Sequence, residues 1–229
     1  MKNKIKKNLR KLCLGLFAVV LTTSYVSAQL TFGARAGFIY TTLTVESDGI
    51  VAIKEYRNKF KSGFQIGIVA DYALGEFFSI QPGLLFAQQG FKNVYPEVKT
   101  TTNLNYLQVP VNFQYKHPLD KIDILIQTGP YLGFGINGKS KYWDENRKRM
   151  PDKDFKISFG NDREKDDFKC FDFGIGVGAG LQFGNIQAGF GYNIGIRNLN
   201  IKRSAYKYGD KTIMKIKGLA LTVTYLFGN

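Results

Sequence analysis

The sequence predicts an all-β protein, an eight-stranded antiparallel up-and-down transmembrane β-barrel with short periplasmic turns and four long extracellular loops. Three observations support this prediction: apolar residues alternate with small or polar ones, connections alternate between long and short, and an export signal precedes them. Strand side chains point alternately to two faces. Outer-membrane barrels combine such strands with short periplasmic turns and longer outside loops.

The first segment, 1–28, is predicted to be a signal peptide, and 29–229 the barrel domain. A basic start without acids precedes a short apolar run, Leu12–Leu21, and small residues end at Ala28. This order is typical of a secretory signal, here cleaved between Ala28 and Gln29. An uncleaved anchor helix is the alternative. Without the signal, the Lys+Arg count falls from 32 to 26 against 18 acids, so the net charge falls from +14 to +8.

A glycine-rich stretch predicts two strands rather than a nucleotide-binding loop. Residues 174–179 match the letters of a dinucleotide fingerprint, but no Asp or Glu occurs in 181–209. Such a site needs a helix after the glycines and an acid about 20 residues later. Apolar residues instead occupy every second position in 171–183 and again in 186–197. The Gly184-Asn185 pair between them predicts a two-residue hairpin.

Eight runs with this alternation are the predicted strands: 30–40, 63–73, 78–91, 104–116, 122–136, 171–183, 186–197 and 217–227. About 9–11 residues suffice for a barrel strand to cross a bilayer. The predicted long loops are 41–62, 92–103, 137–170 and 198–216, and the predicted short turns are 74–77, 117–121 and 184–185. A soluble up-and-down barrel of the lipocalin kind is the alternative, although nothing in it requires this alternation of loop lengths.

The face rich in Gly, Gln, Asn and Thr is predicted to point inward, because the apolar face must meet lipid. Eight strands leave an interior just wide enough for side chains. Arg35, Asp71 and Asp123 are the predicted inward charges. A tight hairpin would also place Asp172 opposite Arg197 as a charge pair in the lumen. We interpret these groups as a hydrogen-bonded plug; a narrow path for solutes or protons is the alternative.

Four segments resemble strands of the PorT-like outer-membrane β-barrel proteins. They are "FSIQPGLLFAQQGF" (78–91), "LNYLQVPVNFQYK" (104–116), "GPYLGFGING" (129–138) and "GLALTVTYLFGN" (218–229). The resemblance covers nearly all of 29–229, and its motifs specify barrel strands rather than a site. It implies a bacterial outer-membrane barrel of about eight strands. The founding member of that family is associated with a protein-secretion machinery.

The sequence predicts no catalytic, cofactor or metal site. His117 is the only histidine and falls in a predicted short turn, away from any candidate cleft. Cys170 is the only cysteine after the predicted signal peptide, and we interpret it as a structural thiol. One His and one Cys cannot form a tetrahedral zinc site without carboxylates. A barrel enzyme would need His117 as its base, so the predicted protein is not an enzyme.

The long loops are predicted to carry any contacts with partners. Loop 137–170 contains eight acids and ten cations, and these mixed signs exclude a nucleic-acid interface. The candidate contact residues are Tyr56, Phe60, Tyr142 and Trp143. The basic and apolar segment 48–61 is a candidate for contact with lipopolysaccharide phosphates.

The predicted function is therefore non-enzymatic, structural or interactive. The predicted partners are the lipid bilayer of the outer membrane, lipopolysaccharide, and a protein of a secretion or envelope assembly. A small porin-like passive channel for solutes is the alternative.

Overall fold

Eight long strands form the protein in the computed structural model, which describes residues 30–46, 57–94, 98–144, 146, 148–162, 165–201 and 213–228. They are β1 (Leu30–Glu46), β2 (Arg57–Ala73), β3 (Phe78–Val94), β4 (Val98–Leu119), β5 (Ile122–Asp144), β9 (Phe171–Phe183), β10 (Ile186–Gly195) and β11 (Ile213–Phe227). Between β5 and β9 lie a 3-10 turn (Pro151–Lys153) and three short strands: β6 (Phe155–Ile157), β7 (Phe159–Gly160) and β8 (Phe168–Lys169).

The long strands pair in chain order around a ring. β1 pairs with β11, and β4 pairs with β5, so the sheet closes on itself. The pairings in register are antiparallel, as short hairpins between neighbours require. The only parallel pair in the described part of the chain joins β7 to β8. The predicted fold class is confirmed. Among the described residues, no helix is long and apolar enough to cross a membrane.

The predicted two-residue hairpin is present. Ile186 pairs with Phe183 across Gly184-Asn185, and the register continues unbroken to Gly195 opposite Gly174. This hairpin lies at the same end of the barrel as the turns after β2 and β4. We call this end the short-turn end and the opposite end the outer end.

Several strands extend well beyond their predicted outer ends. β4 and β5 contain 22 and 23 residues, about twice what a bilayer crossing needs. The prediction of a long loop at 92–103 is wrong, because only 95–97 separate β3 from β4. The predicted strands end where the apolar alternation in the sequence ends. A strand that has left the lipid needs no apolar outer face, and the Thr-rich 100–102 is good strand sequence.

The two predicted faces of the wall are confirmed. The outward face exposes large apolar side chains such as Phe38, Ile68 and Val223. A surface this apolar is explained by contact with lipid. The buried side chains include the inward Gln65, Gln81, Gln182 and Gln187. Small residues on this face leave space for large ones: a Cβ on Gly174 would lie 2.5 Å from the hydroxyl of Tyr131.

Candidate functional site

Asp71 is the centre of a polar network in the short-turn half of the lumen. Its carboxylate accepts hydrogen bonds from the hydroxyl of Ser79 at 2.9 Å and from the amide of Gln81 at 3.2 Å. It also forms an ion pair with the ammonium of Lys116 at 2.6 Å. Asp71 is only 5% exposed and Gln81 is fully buried. A charge in so narrow an interior needs partners of this kind.

Arg35 belongs to the same network, which crosses the lumen through Gln81. Its guanidinium donates to the hydroxyl of Thr224 at 2.8 Å and to the side-chain oxygen of Gln81. Gln81 in turn donates to Gln187 at 3.1 Å and accepts from Gln114 at 3.1 Å. These bonds join β1, β3, β4, β10 and β11 across the lumen. We call the network the polar plug; its members are Arg35, Asp71, Ser79, Gln81, Gln114, Lys116, Gln187 and Thr224.

The outer half of the lumen is filled by apolar side chains instead. The buried members of this apolar cap are Leu43, Phe91, Leu104, Tyr106, Ile157, Leu199 and Ile216, with Phe159 and Phe168 packed against them. Five of these lie on barrel strands, and the other four come from the segments that follow β5 and β10. The cap therefore combines the inner wall with chain that returns over the opening.

The returning segment is held in place by backbone hydrogen bonds and ring packing. The amide of Gly135 donates to the carbonyl of Cys170 at 2.7 Å, and that of Lys169 donates to the carbonyl of Leu199 at 3.0 Å. Phe159 packs edge-on against Tyr106 with 5.3 Å between ring centroids. A Cβ on Gly135 would lie 2.3 Å from this Phe159 ring, so only glycine leaves it room. The prediction of 137–170 as one long loop is wrong for Phe159 and for 168–170, which pack against the inner wall of the barrel.

A small cavity separates the polar plug from the apolar cap. Its volume is about 60 Å³, and its lining includes Arg35, Gln65, Gln108, Tyr131 and Asn193. At about 10–15 Å³ per water, this cavity has room for a few water molecules. Pockets that bind small organic ligands are about 300–1,000 Å³. The cavity is too small for a solute of that size.

The predicted pair of Asp172 and Arg197 is not formed, since no ion pair joins these two described residues. Asp172 is fully buried and accepts a hydrogen bond from the amide of Phe173 at 2.8 Å. The guanidinium of Arg197 lies 5.5 Å from the centre of the Phe171 ring. The amides of Ile196 and Arg197 both donate to the carbonyl of Phe173, so regular pairing ends after β10. This bulge turns the arginine away from the predicted position.

The other predicted lumen charges separate into two groups. Arg35 and Asp71 belong to the polar plug, whereas Asp123 lies at the short-turn rim opposite Gln182. Lys116, which supplies the cation for Asp71, and Gln114 were not predicted from the sequence. Both lie on β4 in the same alternation as Gln108, on the face rich in Gln and Asn that was predicted to point inward, and that alternation is the signal that could have identified them.

The candidate contact residues also differ in their placement. Tyr56 lies outside the described residues. Phe60 belongs to β2 and stacks on Tyr40 with 4.9 Å between ring centroids. Trp143 and Tyr142 lie at the outer end of β5. They form part of what we call the outer protrusion, defined as 98–105, 137–144 and 149–157.

Charged and aromatic contacts order the outer protrusion. The guanidinium of Arg149 lies 5.1 Å from the centre of the Trp143 ring and donates to both carboxylate oxygens of Asp154 at 2.6 and 2.5 Å. The ammonium of Lys139 lies 3.4 Å from the same carboxylate. These hydrogen bonds, that of Arg149 above all, lower the pKa of Asp154 from 3.8 to about 2. Phe155 remains 43% exposed beside Tyr142.

His117 and Cys170 have few partners. His117 is exposed at the short-turn end of β4, where its Nδ1 lies 3.4 Å from the hydroxyl of Tyr115. The thiol of Cys170 lies 3.8 Å from the carbonyl oxygen of Gly135. Within the described ranges, no group of three or more His, Cys, Asp or Glu residues is placed to hold a metal ion.

The chain belongs to a family of outer-membrane barrels. The model of the outer membrane protein beta-barrel domain matches residues 24–200, more than half of the chain. Together with the closed sheet and its apolar outer face, this match places the protein in the bacterial outer membrane. No curated protein matches the sequence.

Several solved outer-membrane proteins are similar to this chain at low identity. Ail, the attachment invasion locus protein of Yersinia pestis, is 15% identical with a TM-score of 0.41, over 87% of this chain and 99% of Ail. OprG from Pseudomonas aeruginosa is 11% identical with a TM-score of 0.41, over 88% and 98%. Neisserial surface protein A is 14% identical with a TM-score of 0.39, over 85% and 96%.

Proposed function

We propose that the protein is a non-enzymatic, non-conducting barrel whose outer protrusion binds a protein partner in the cell envelope. The observation that supports this proposal is that the lumen is filled in both halves, by polar side chains in one and by apolar side chains in the other. The polar plug joins opposite walls in one half, and the apolar cap fills the other. A barrel filled in this way is suited to anchoring a surface rather than to transport.

The outer protrusion is the best candidate for that surface. β4 and β5 continue far beyond the length of a bilayer crossing. Ordering these additional residues costs conformational entropy and adds no contact with lipid. The Arg149–Asp154 ion pair fixes the returning chain, and Phe155 and Trp143 supply aromatic surface beside it. Aromatic and Arg side chains are enriched where protein partners bind most strongly.

The resemblance to PorT-like barrels supports a partner in a secretion or envelope assembly.

We also propose that residues 1–28 are a signal peptide removed after Ala28, because the basic start, apolar run and small residues follow the order of such signals. Mass spectrometry of the protein purified from outer membranes would test this cleavage. A mature chain beginning at Gln29 is expected, and an intact Met1 or Lys2 would contradict it.

A pull-down from outer membranes in mild detergent tests the proposed function, with an affinity tag after Asn229 in every variant. We expect a stoichiometric partner with the unmodified chain and loss of that partner with Trp143→Ala/Phe155→Ala. The matched control is His117→Ala at the short-turn end, which should retain the partner. Retention by the double variant, or the absence of any partner, would contradict the proposal.

The alternative function is a small passive channel. The observation in its favour is the cavity lined by polar side chains between plug and cap. A volume of about 60 Å³ admits water and small inorganic ions but not organic solutes. Planar-bilayer recordings distinguish the two functions, because a channel gives steady conductance and a plugged barrel does not.

A further inference from the structure

The outer face of the wall changes from apolar to polar along a defined line. The amide of Gln88 donates to the side chain of Asn105 at 3.3 Å, and Asn105 donates to Asn137 at 2.7 Å. These residues lie on β3, β4 and β5 and form a ladder of side chains across the three strands. Ile136 on the short-turn side of this ladder is 52% exposed and apolar. The ladder therefore marks the outer edge of the lipid-facing belt.

A row of lysines crosses the wall just beyond that edge. Lys59 is the register partner of Lys92, Lys92 of Thr101, and Thr101 of Lys141, so the row runs from β2 to β5. Directly opposed residues share a face of the sheet. Thr100 and Thr102 are buried in the interior, so Thr101 and its register partners face outward. We call Lys59, Lys92 and Lys141 the basic stripe.

The basic stripe brings like charges together. None of its three lysines forms an ion pair with another residue that the structure describes. Opposed like charges such as Lys59 and Lys92 destabilise a sheet. The buried side chain of Lys61 lies beside Gly90, beyond the ladder, and its pKa is lowered, first by burial and then by the charges of Lys92 and Lys141. A bound anion would relieve this repulsion.

We propose that the basic stripe binds the phosphate groups of the glycolipid in the outer leaflet. Lys141 lies five residues beyond Ile136, or about 17 Å along β5 and about 12 Å above the belt for a strand tilted by about 45°. Lysine side chains can extend back toward the interface. The phosphates of lipid headgroups occupy the layer directly outside the hydrocarbon core. Lysines at that height attract anionic headgroups.

This site goes beyond the protein-binding surface proposed above, since it extends along β2 and β3 and shares only Lys141 with the outer protrusion. Phosphate bound to a lipid is favoured over free phosphate, because the belt below the stripe binds the acyl chains of the same molecule. Such a site would keep the glycolipid attached to one side of the barrel.

The only tryptophan of the chain provides an optical signal for this site. Trp143 follows Lys141 by two residues on β5, so both side chains are on the outward face. Its register partner on β4 is Lys99. A phosphate group that binds the stripe changes the charge beside this indole and therefore its fluorescence.

Titration of the folded full-length mature barrel in detergent micelles tests the proposal, with Trp143 fluorescence as the readout. The probes are lipid A bearing two phosphates, the same lipid without phosphates, inorganic phosphate and a sulfated polysaccharide. We expect saturable binding of the phosphorylated lipid alone, weakened by added salt. The variant Lys59→Gln/Lys92→Gln/Lys141→Gln should bind on the order of 100-fold more weakly, at about fivefold per lysine.

A matched variant separates the stripe from overall charge. Lys121→Gln/Lys148→Gln/Lys165→Gln removes three cations elsewhere and should bind like the unmodified barrel. If the triple stripe variant fails to fold, Lys92→Gln alone should weaken binding about fivefold. Folding is verified for each variant by its faster migration on gels before heating.

Three results would overturn the proposal. Equal binding of the lipid without phosphates would show that the apolar belt alone binds it. Equal binding of inorganic phosphate would show a site for free anions. Binding of a sulfated polysaccharide in place of lipid A would assign the stripe to another class of ligand. Because none of these results depends on Phe155 or on the pull-down, failure here is distinguishable from failure of the proposed function.

Discussion

The two halves of the lumen are filled in opposite ways. The polar plug uses only side chains of the barrel strands, linked through Gln81 and Asp71. The apolar cap instead takes Ile157, Phe159 and Phe168 from the chain between β5 and β9. Within the membrane zone the strands must fill their own interior. Beyond it, the chain that leaves the wall can return and complete the core.

The difference also has energetic consequences. Removing one member of a buried charge pair leaves its partner without compensation, so the effect is large. Removing a methyl-bearing side chain from an apolar core costs the transfer free energy and a cavity term. A single change of charge in the polar plug should therefore cause a large loss in the free energy of unfolding. In the apolar cap, the loss should be proportional to the side-chain volume removed.

Asp71→Ala is expected to have the largest effect. The substitution leaves the buried Arg35 and the part-buried Lys116 without a carboxylate, and we expect a loss of about 3–5 kcal/mol in the free energy of unfolding. Urea titration of the refolded barrel in micelles measures it. The control Asp123→Ala, at the rim, should change stability by less than about 0.5 kcal/mol. A similar loss for both variants would contradict the central role of Asp71.

Leu104→Ala sharpens the comparison from the other half. Leu104 is fully buried in the apolar cap, so the cavity should cost about 2–5 kcal/mol of the free energy of unfolding. The same urea titration measures this loss. Leu132→Ala is the matched control, because Leu132 is 39% exposed on the lipid-facing side. If the control loses as much stability as Leu104→Ala, the cap does not form a packed core.

Gly135→Val should separate the returning chain from the barrel. The new side chain would occupy the position of the Phe159 ring, so the segment would leave the opening while the wall persists. We expect faster proteolysis within 161–165 and a change in the free energy of unfolding smaller than that of Leu104→Ala. Phe155→Ala, exposed on β6, is the control. Unchanged proteolysis of Gly135→Val would show that the segment is not held by this contact.

Acid should produce the smallest effect, confined to the outer protrusion. The pKa of Asp154 in the folded protein, about 2, lies below the ordinary 3.8. Its ionised form therefore stabilises the protrusion fully above about pH 4, and this contribution is lost as the pH falls toward 2. Because Arg149 stacks on Trp143, the fluorescence should change between pH 4 and about 2. Asp154→Asn should abolish that transition, and its persistence would contradict the assignment.

The barrel could be predicted from the sequence because its determinants are local. Alternation and a Gly-Asn turn specify each hairpin, and the size of an eight-stranded interior directs polar residues such as Gln81 inward. The prediction of Arg35 and Asp71 as lumen charges followed from the same alternation. The ion pair of Asp71 with Lys116 could not be predicted, because strand register does not give the distance between side chains on β2 and β4.

The outer half could not be predicted for two physical reasons. Outside the lipid, a strand does not need an apolar outer face. The first part of β4, 98–103, therefore lacks the alternation of apolar and polar residues from which strands were predicted. The cap depends on contacts such as Phe159 with Tyr106, which are far apart in sequence and leave no periodic signal. The bulge at Ile196 that separates Arg197 from Asp172 is likewise a tertiary feature.

Planar-bilayer conductance tests the central claim that the lumen is filled at both levels. The unmodified barrel should show no steady current, and neither Arg35→Ala nor Gly135→Val alone should open it, because the other half stays filled. The double variant Arg35→Ala/Gly135→Val should conduct. Steady conductance of the unmodified barrel, unchanged by either substitution, would contradict the account.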